Sequence, residues 1–313
     1  MTSYFKGYGG YCTTAAQAAN DIQDISSRRL TAYRYWFYHQ WYATKKGYSQ
    51  DKVFNPEVAD TLVGEAEKLG VCVILDCHNY PPEAYIANTA ELSSFYREWL
   101  AIAERYKFRT NVILELVNEN GAPNLKAMLD PLVVQLREAG VKNHLIISLW
   151  WNHPNTRFAD NLDDYSISRH FYPSTAISVA NQRFTSTTSS ESIPLPADLG
   201  SVLNMVYGYA NGKPTTVQQK LDAYFTSATE NIYVQNAMRQ GLRFASTEVG
   251  PGFTDAQLNY PSIMGMAYYC GWMRLAQRNG VPFTAYRSGP GTESKIALYE
   301  QRAKEYFGIS LWP

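Results

Sequence analysis

Short runs of β-branched and aromatic residues alternate along the chain with longer stretches whose apolar positions recur every three or four residues. RLTAYRYWFY (Arg29–Tyr38) reads as a strand. In the helix that follows, Asn55 supplies the cap, Pro56 the first position and Glu57 a favourable first-turn charge. Val58, Ala59, Leu62, Val63, Ala66 and Leu69 then fall at helical spacing, and Gly70 closes the helix. VCVILDCH (Val71–His78) stays apolar almost to its end, as expected of a strand buried on both faces.

The cycle repeats. Leu92, Phe95, Tyr96, Trp99, Leu100 and Ala103 mark one amphipathic helix, and Leu125–Ala139, ended by Gly140, marks another. NVILELVNE, HLIISLWW (His144–Trp151) and DYSISRHFYP, which ends at Pro173, read as strands. A helix over Thr216–Arg239 leads to the strands GLRFASTEVG and VPFTAYRSG, and a short strand at SYFKGY brings the count to eight. Strands recurring at intervals of about 40 residues imply repeated β-loop-α-loop units. The fold class is therefore α/β, a single (β/α)8 TIM barrel occupying residues 1–313 as one catalytic domain. Residues from about 174 to 215, rich in Ser, Thr and Pro, break the rhythm. Because the cycle resumes straight afterwards, they read as a long loop at the barrel mouth, not as a linker between domains.

Composition narrows the partners. The 28 basic and 28 acidic residues balance, so no charge excess points to nucleic acid or to an anionic membrane. No stretch reaches the roughly 20 apolar residues needed to span a bilayer. MTSYFKGYGG lacks the charged-then-apolar order of a signal peptide, so an extracellular location requires that a leader has been removed. Four scattered cysteines, with no CxxC pair, read as free thiols; a Cys12–Cys270 bridge stays open. No cofactor motif and no metal-ligand spacing stands out, and YGGY is too short to cradle a pyrophosphate. A monomer is expected.

In a closed parallel barrel every strand ends at one face, where active sites gather. The polar residues at strand ends are Arg34, His78 with Tyr80, Asn118 with Glu119, His170 with Tyr172, Glu248, and Tyr286 with Arg287. VILELVNENGAP delivers Glu119, and FASTEVGPG delivers Glu248, each to the loop end of a strand. Hydrolysis of a glycosidic bond needs two such carboxyl groups, one to protonate and one to attack. Glu115 lies a turn deeper and reads as a structural acid paired with Arg34 or another buried donor, since an unpaired buried carboxylate is costly. Asp76 reads as a brace for neighbouring loops. Trp36, Trp41, Tyr80, Trp150, Trp151 and Phe253 are candidate stacking platforms; of the adjacent pair, only one faces the cleft, and Trp151 is the choice.

ILDCHNY, VILELVNEN, SRHFY and FASTEVG, in this order and with Arg34 on the second strand, resemble the retaining endoglycanases of glycoside hydrolase family 5. That family belongs to the cellulase-like clan of barrel enzymes bearing glutamates on strands four and seven. The resemblance implies that Glu119 is the general acid/base and Glu248 the nucleophile. It implies that Asn118 bonds a sugar 2-hydroxyl, Tyr172 donates to Glu248, and Arg34 adds positive charge beneath it. His78 and His170 then bond sugar hydroxyls and the carboxylates. An acid of this kind needs a raised pKa, expected here from burial and a neighbouring negative charge. Two departures stand out: Tyr286 occupies the place of the family's eighth-strand tryptophan, and Asn120 replaces the proline that usually follows the acid/base.

The resemblance implies a retaining glycoside hydrolase acting on β-1,4-linked polysaccharide, with β-glucan favoured by HNY after the third strand. A β-mannanase and an exo-acting β-glycosidase are the enzymatic alternatives. A non-catalytic carbohydrate-binding barrel is the alternative of another class, and two retained glutamates argue against it.

Overall fold

The computed structural model describes residues 6–78, 89–150, 156–158, 165–170 and 229–249, the stretches 254–255 and 260–261, and parts of 269–286 and 300–304. Eight strands close into one barrel: β1 (Lys6–Gly10), β2 (Ala32–Phe37), β3 (Cys72–Cys77), β4 (Val112–Glu115), β5 (His144–Leu149), β6 (Tyr165–Arg169), β7 (Arg243–Val249) and β8 (Phe283–Tyr286). Each lies beside its neighbour in sequence, and β8 closes on β1 in parallel register, Lys6 opposite Phe283 and Gly9 opposite Tyr286. This is the eight-stranded parallel barrel that the alternating pattern implies.

Helices α1 (Ala15–Ser27) and α2 (Gln40–Lys46) precede α3 (Pro56–Lys68), α4 (Thr89–Tyr106), α5 (Leu125–Glu138) and α6 (Thr229–Arg239). At the start of α3, Asn55 Oδ1 accepts from the backbone N–H of Glu57 at 3.0 Å, satisfying a donor that the helix itself cannot. Gly70 ends the segment at φ +67 and Gly140 follows α5 at φ +79, a conformation that only glycine adopts without cost. Among the described residues no helix is long and apolar enough to cross a membrane. None of the four cysteines forms a disulfide, Cys12 and Cys270 included.

Two compact units partition the chain. The first comprises Met1–His170, Ala237–Glu248 and Pro282–Pro290; the second comprises Phe171–Asn236, Val249–Val281 and Gly291–Pro313. Within the second, Thr254–Asp255 and Tyr260–Pro261 pair as an antiparallel two-stranded sheet, and Gln235 Nε2 donates to Asn279 Oδ1 at 3.1 Å. The loop expected at 174–215 lies outside the described residues.

Inside the first unit, Ala32, Ile74, Ile113, Ile146 and Ala245 form an apolar layer with Cys72 packed against it. Toward the C-terminal strand ends the interior turns polar, beginning with Arg34, Asp76 and Glu115, all fully buried. Glycines in β1 make room for this. A Cβ on Gly7 would lie 1.8 Å from the Ala32 carbonyl oxygen, and one on Gly9 would lie 2.7 Å from Arg34 Cβ and 2.9 Å from Trp36 Nε1. Gly9→Ala is therefore expected to push Arg34 and Trp36 off position and destabilise the fold by about 1–3 kcal/mol. Urea unfolding checks this, and a midpoint equal to that of the unsubstituted chain would refute the crowding.

Candidate active site

One guanidinium organises the polar end of the barrel. Arg34 Nε and Nη2 donate to the two oxygens of Glu115 at 2.7 and 3.1 Å. Nη2 also donates to Asn118 Oδ1 at 2.8 Å and contacts Asp76 Oδ2 at 2.9 Å, while Nη1 donates to Glu248 Oε2 at 2.8 Å. A planar fork of five N–H donors suits this arrangement, and an ammonium does not. Burial alone would lower the pKa of Arg34, but Asp76, Glu115 and Glu248 together raise it, so it stays charged. Glu115 thus pairs with Arg34, one of the partners its depth in the barrel suggested. Asp76, on β3, holds Arg34 on one side and His78 on the other.

His78 Nδ1 lies 2.7 Å from Asp76 Oδ2. Burial, helped by the Arg34 charge, pushes the His78 pKa down to about 3, while burial, offset by Arg34, pushes Asp76 up to about 7. The ring is therefore neutral at neutral pH, and the contact is a hydrogen bond, not an ion pair. Trp36 stacks on the His78 ring, centroids 4.8 Å apart and planes 16° from parallel. Only 2% of Trp36 is exposed, so it backs the histidine and does not form an open platform.

Glu119 reaches the site by a sharp departure from β4, which stops at Glu115, not at the glutamate itself. Its φ of +44 is unusual for a residue with a side chain and costs on the order of 1 kcal/mol. Neighbouring bonds hold it there. Its N–H donates to Ser148 Oγ at 3.2 Å, Asn120 N–H donates to the Ser148 carbonyl at 2.9 Å, and Trp150 N–H donates to the Asn120 carbonyl at 2.9 Å. Asn120 Oδ1 accepts from Ala122 N–H at 3.0 Å. The proline usual at position 120 could not make the bond to Ser148, so the departure from the family pattern ties the loop to β5.

His170, just past the end of β6, joins the two glutamates. Its Nδ1 lies 2.9 Å from Glu119 Oε1 and 3.6 Å from Glu248 Oε2. One oxygen of each glutamate and one ring nitrogen of His170 all lie within 4.8 Å of one another. Burial opposes charge on both Glu119 and His170, yet their mutual hydrogen bond and attraction lower the Glu119 pKa and raise that of His170. The raised pKa expected of Glu119 is thus not found, because a histidine, and not a second carboxylate, is its hydrogen-bonding partner. The three groups could surround a divalent cation. His170 Nδ1 is already hydrogen-bonded to Glu119, however, and Arg34 holds Glu248, so the donor set suits proton sharing better than metal binding.

The structure brings together Arg34, His78, Asn118, Glu119, His170 and Glu248, with Trp36 behind. Tyr286 is the last residue of β8, opposite Gly9. Tyr80, Trp151 and Tyr172 lie outside the described residues; Trp150 is 39% exposed. Three hydroxyls escaped sequence reading. Thr247 Oγ1 lies 2.6 Å from Glu115 Oε1, 2.8 Å from Ser168 Oγ and 3.1 Å from His170 Nε2, and Ser148 Oγ lies 3.2 Å from the same nitrogen. Their inward parity on β5, β6 and β7 was the available signal.

Among solved structures, the endoglucanase Cel5A of the hyperthermophile Thermotoga maritima is similar at a TM-score of 0.62 and 13% identity, covering 98% of this chain and 97% of that one. The same enzyme in complex with mannotriose matches at 0.57 and 12%, covering 93% and 92%. An endo-β-1,4-glucanase of Xanthomonas axonopodis pv. citri matches at 0.57 and 13%, covering 97% and 99%. No curated protein sequence matches significantly. These likenesses share the barrel. The model of the cellulase family matches residues 3–291, and with it the chain belongs to glycosyl hydrolase family 5 and is a glycoside hydrolase.

Proposed function

We propose that the chain is a retaining endo-β-1,4-glucanase in which Glu248 is the nucleophile and Glu119 the general acid/base. The observation that carries this reading is the approach of the two carboxylates, with oxygens within 4.8 Å of each other. Retaining enzymes hold the pair ~5–5.5 Å apart, whereas inverting ones leave ~6.5–9.5 Å for an intervening water. In the first step Glu248 attacks the anomeric carbon as Glu119 gives its proton to the leaving oxygen, and the bond to the aglycone breaks. In the second, the Glu119 carboxylate takes a proton from water, whose oxygen displaces Glu248 and releases the sugar.

The remaining residues fit supporting tasks. Arg34 Nη1 fixes one oxygen of Glu248 and supplies positive charge beside it. Asn118 Oδ1 is taken by Arg34, while its buried Nδ2 has no acceptor among the described residues, which suits a donor to the sugar 2-hydroxyl. Neutral His78, held by Asp76, suits a sugar hydroxyl. Tyr80, Trp151, Tyr172 and Tyr286 complete the proposed sugar-binding set. The family match runs across both compact units, which favours one catalytic domain. We read it as a monomer acting outside the cell.

Glucan is the first choice of polymer and mannan the second, since the similar Cel5A of Thermotoga maritima was crystallised with mannotriose. Incubation with carboxymethylcellulose, mixed-linkage glucan, mannan and xylan, followed by release of reducing ends, is expected to rank a glucan first. Proton NMR of fresh product is expected to show the β-anomer before mutarotation. A better rate on mannan overturns the polymer, and an α-anomer overturns retention.

A further inference from the structure

The hydroxyls around His170 determine which of its nitrogens carries the permanent proton. Burial, its largest cause, leaves the Glu115 pKa raised even beside Arg34, yet the guanidinium donates to both of its oxygens, at 2.7 and 3.1 Å, and this paired geometry favours the ionised form. An ionised carboxylate only accepts, so the 2.6 Å contact obliges Thr247 Oγ1 to donate its one hydrogen to Glu115. Thr247 Oγ1 then has only lone pairs for its other neighbours. Ser168 meets this condition, because its Oγ accepts from Thr247 N–H at 3.0 Å and can donate back to Thr247 Oγ1 at 2.8 Å. His170 Nε2, 3.1 Å from Thr247 Oγ1, must likewise be an N–H; a bare nitrogen there would set lone pair against lone pair. Ser148 Oγ at 3.2 Å can share that hydrogen.

With Nε2 protonated, Nδ1 is the nitrogen that gains and loses a proton, and it faces Glu119 Oε1 at 2.9 Å. A neutral ring then presents an acceptor to Glu119 and stabilises its acid form. A charged ring presents a donor and stabilises its carboxylate. We propose that Thr247 is a positioning residue that locks the proton on His170 Nε2, so that Glu119 and His170 Nδ1 share one exchangeable proton and act together as the acid/base of the enzyme. The inference rests on the reading of Glu119 as acid/base. Arg34 from β2, Asp76 and His78 from β3, Glu115 from β4, Glu119 beyond it and Glu248 from β7 are the charged or titratable groups around this ring among the described residues. Among the described residues, Thr247 and Ser148 are those that meet Nε2 directly.

Thr247→Val removes the hydroxyl at nearly constant volume. In protein labelled with 15N-histidine, whose five rings are few enough to assign, Nε2 of His170 is expected to be protonated at all pH values where the chain is folded, with Nδ1 titrating. In Thr247→Val the neutral ring is expected to move its proton to Nδ1, with Ser148 donating to Nε2. A donor then faces Glu119 at every pH, so the acid form is lost sooner: the basic limb of kcat/KM moves down by about one pH unit. The kcat/KM ratio between cello-oligosides of a good and a poor leaving group widens about tenfold, because only the poor one needs acid assistance. Thr247→Ser restores both readouts. Ser148→Ala, a second route should the valine variant not fold, leaves Nε2 protonated. An unmoved basic limb in Thr247→Val, or a bare Nε2 in Ser148→Ala or in the unsubstituted chain, overturns the lock. If no glycoside is turned over at all, the glycosidase reading fails, and the nitrogen shifts still decide where the proton sits.

Discussion

Glu248→Ala is expected to abolish turnover, with kcat falling on the order of 10⁵-fold, the scale seen when a covalent nucleophile is removed. Binding of cello-oligosaccharides, measured by calorimetry, is expected to persist, because Asn118, His78 and Arg34 stay in place. Glu119→Ala is expected to fall less, about 10²–10⁴-fold, and least with good leaving groups that need no proton. Azide separates the two roles. In Glu248→Ala the anion enters from the vacated nucleophile side and gives an α-glycosyl azide. In Glu119→Ala the glycosyl-enzyme still forms, azide attacks from the opposite face, and the product is the β-glycosyl azide. Products of the opposite configuration would exchange the two assignments, and a Glu248→Ala variant as active as its parent would remove the nucleophile altogether.

Much of this arrangement could be read before any coordinates, and what was missed shares a cause. Strands such as Val71–His78 and helices such as Pro56–Lys68 announce themselves because pattern, cap and closing glycine agree locally. Helix Ala15–Ser27 carries its signal too, in the Thr14 cap and in Ala18, Ile22 and Ile25 on one face. The site depends on register, which no single segment contains. Asp76 lies opposite Trp36 and Glu115 across two strand pairs, so its partner Arg34 emerges only once the strands are aligned. Strand β4 ends early because Glu119 must turn at positive φ to aim inward, and the bonds that enforce the turn come from Ser148 on another strand. Thr247, Ser148 and Ser168 belong to no motif. They are small hydroxyls whose meaning is the set of distances around one imidazole.

Arg34→Met is expected to cost about 3–5 kcal/mol of stability at pH 7, because it strips the guanidinium that touches Asp76, Glu115 and Glu248 at once and leaves buried carboxylates behind. Those groups would escape the penalty by taking up protons, which gives the loss a pH dependence with a definite sign. An acid whose pKa is higher folded than unfolded binds more protons in the folded state throughout the interval between the two values. Stability therefore falls as pH rises through that interval. Asp76, pushed up to about 7 even with Arg34 present, already contributes in this direction from about pH 4 upward, as does Glu115, whose pKa burial also raises, and without Arg34 both intervals widen. The deficit of Arg34→Met against the unsubstituted chain is thus expected to be small near pH 4.5 and large near pH 7 in urea unfolding. Glu115→Gln added to Arg34→Met is expected to recover part of it, because the amide carries no charge to bury, although it still needs hydrogen-bond partners. Arg34→Lys is expected to fall between, since one ammonium cannot reach two oxygens of Glu115, the Asn118 carbonyl and Glu248 together. A deficit that is independent of pH, or larger in acid, would mean that packing of the long side chain, and not its charge, holds the barrel mouth in shape.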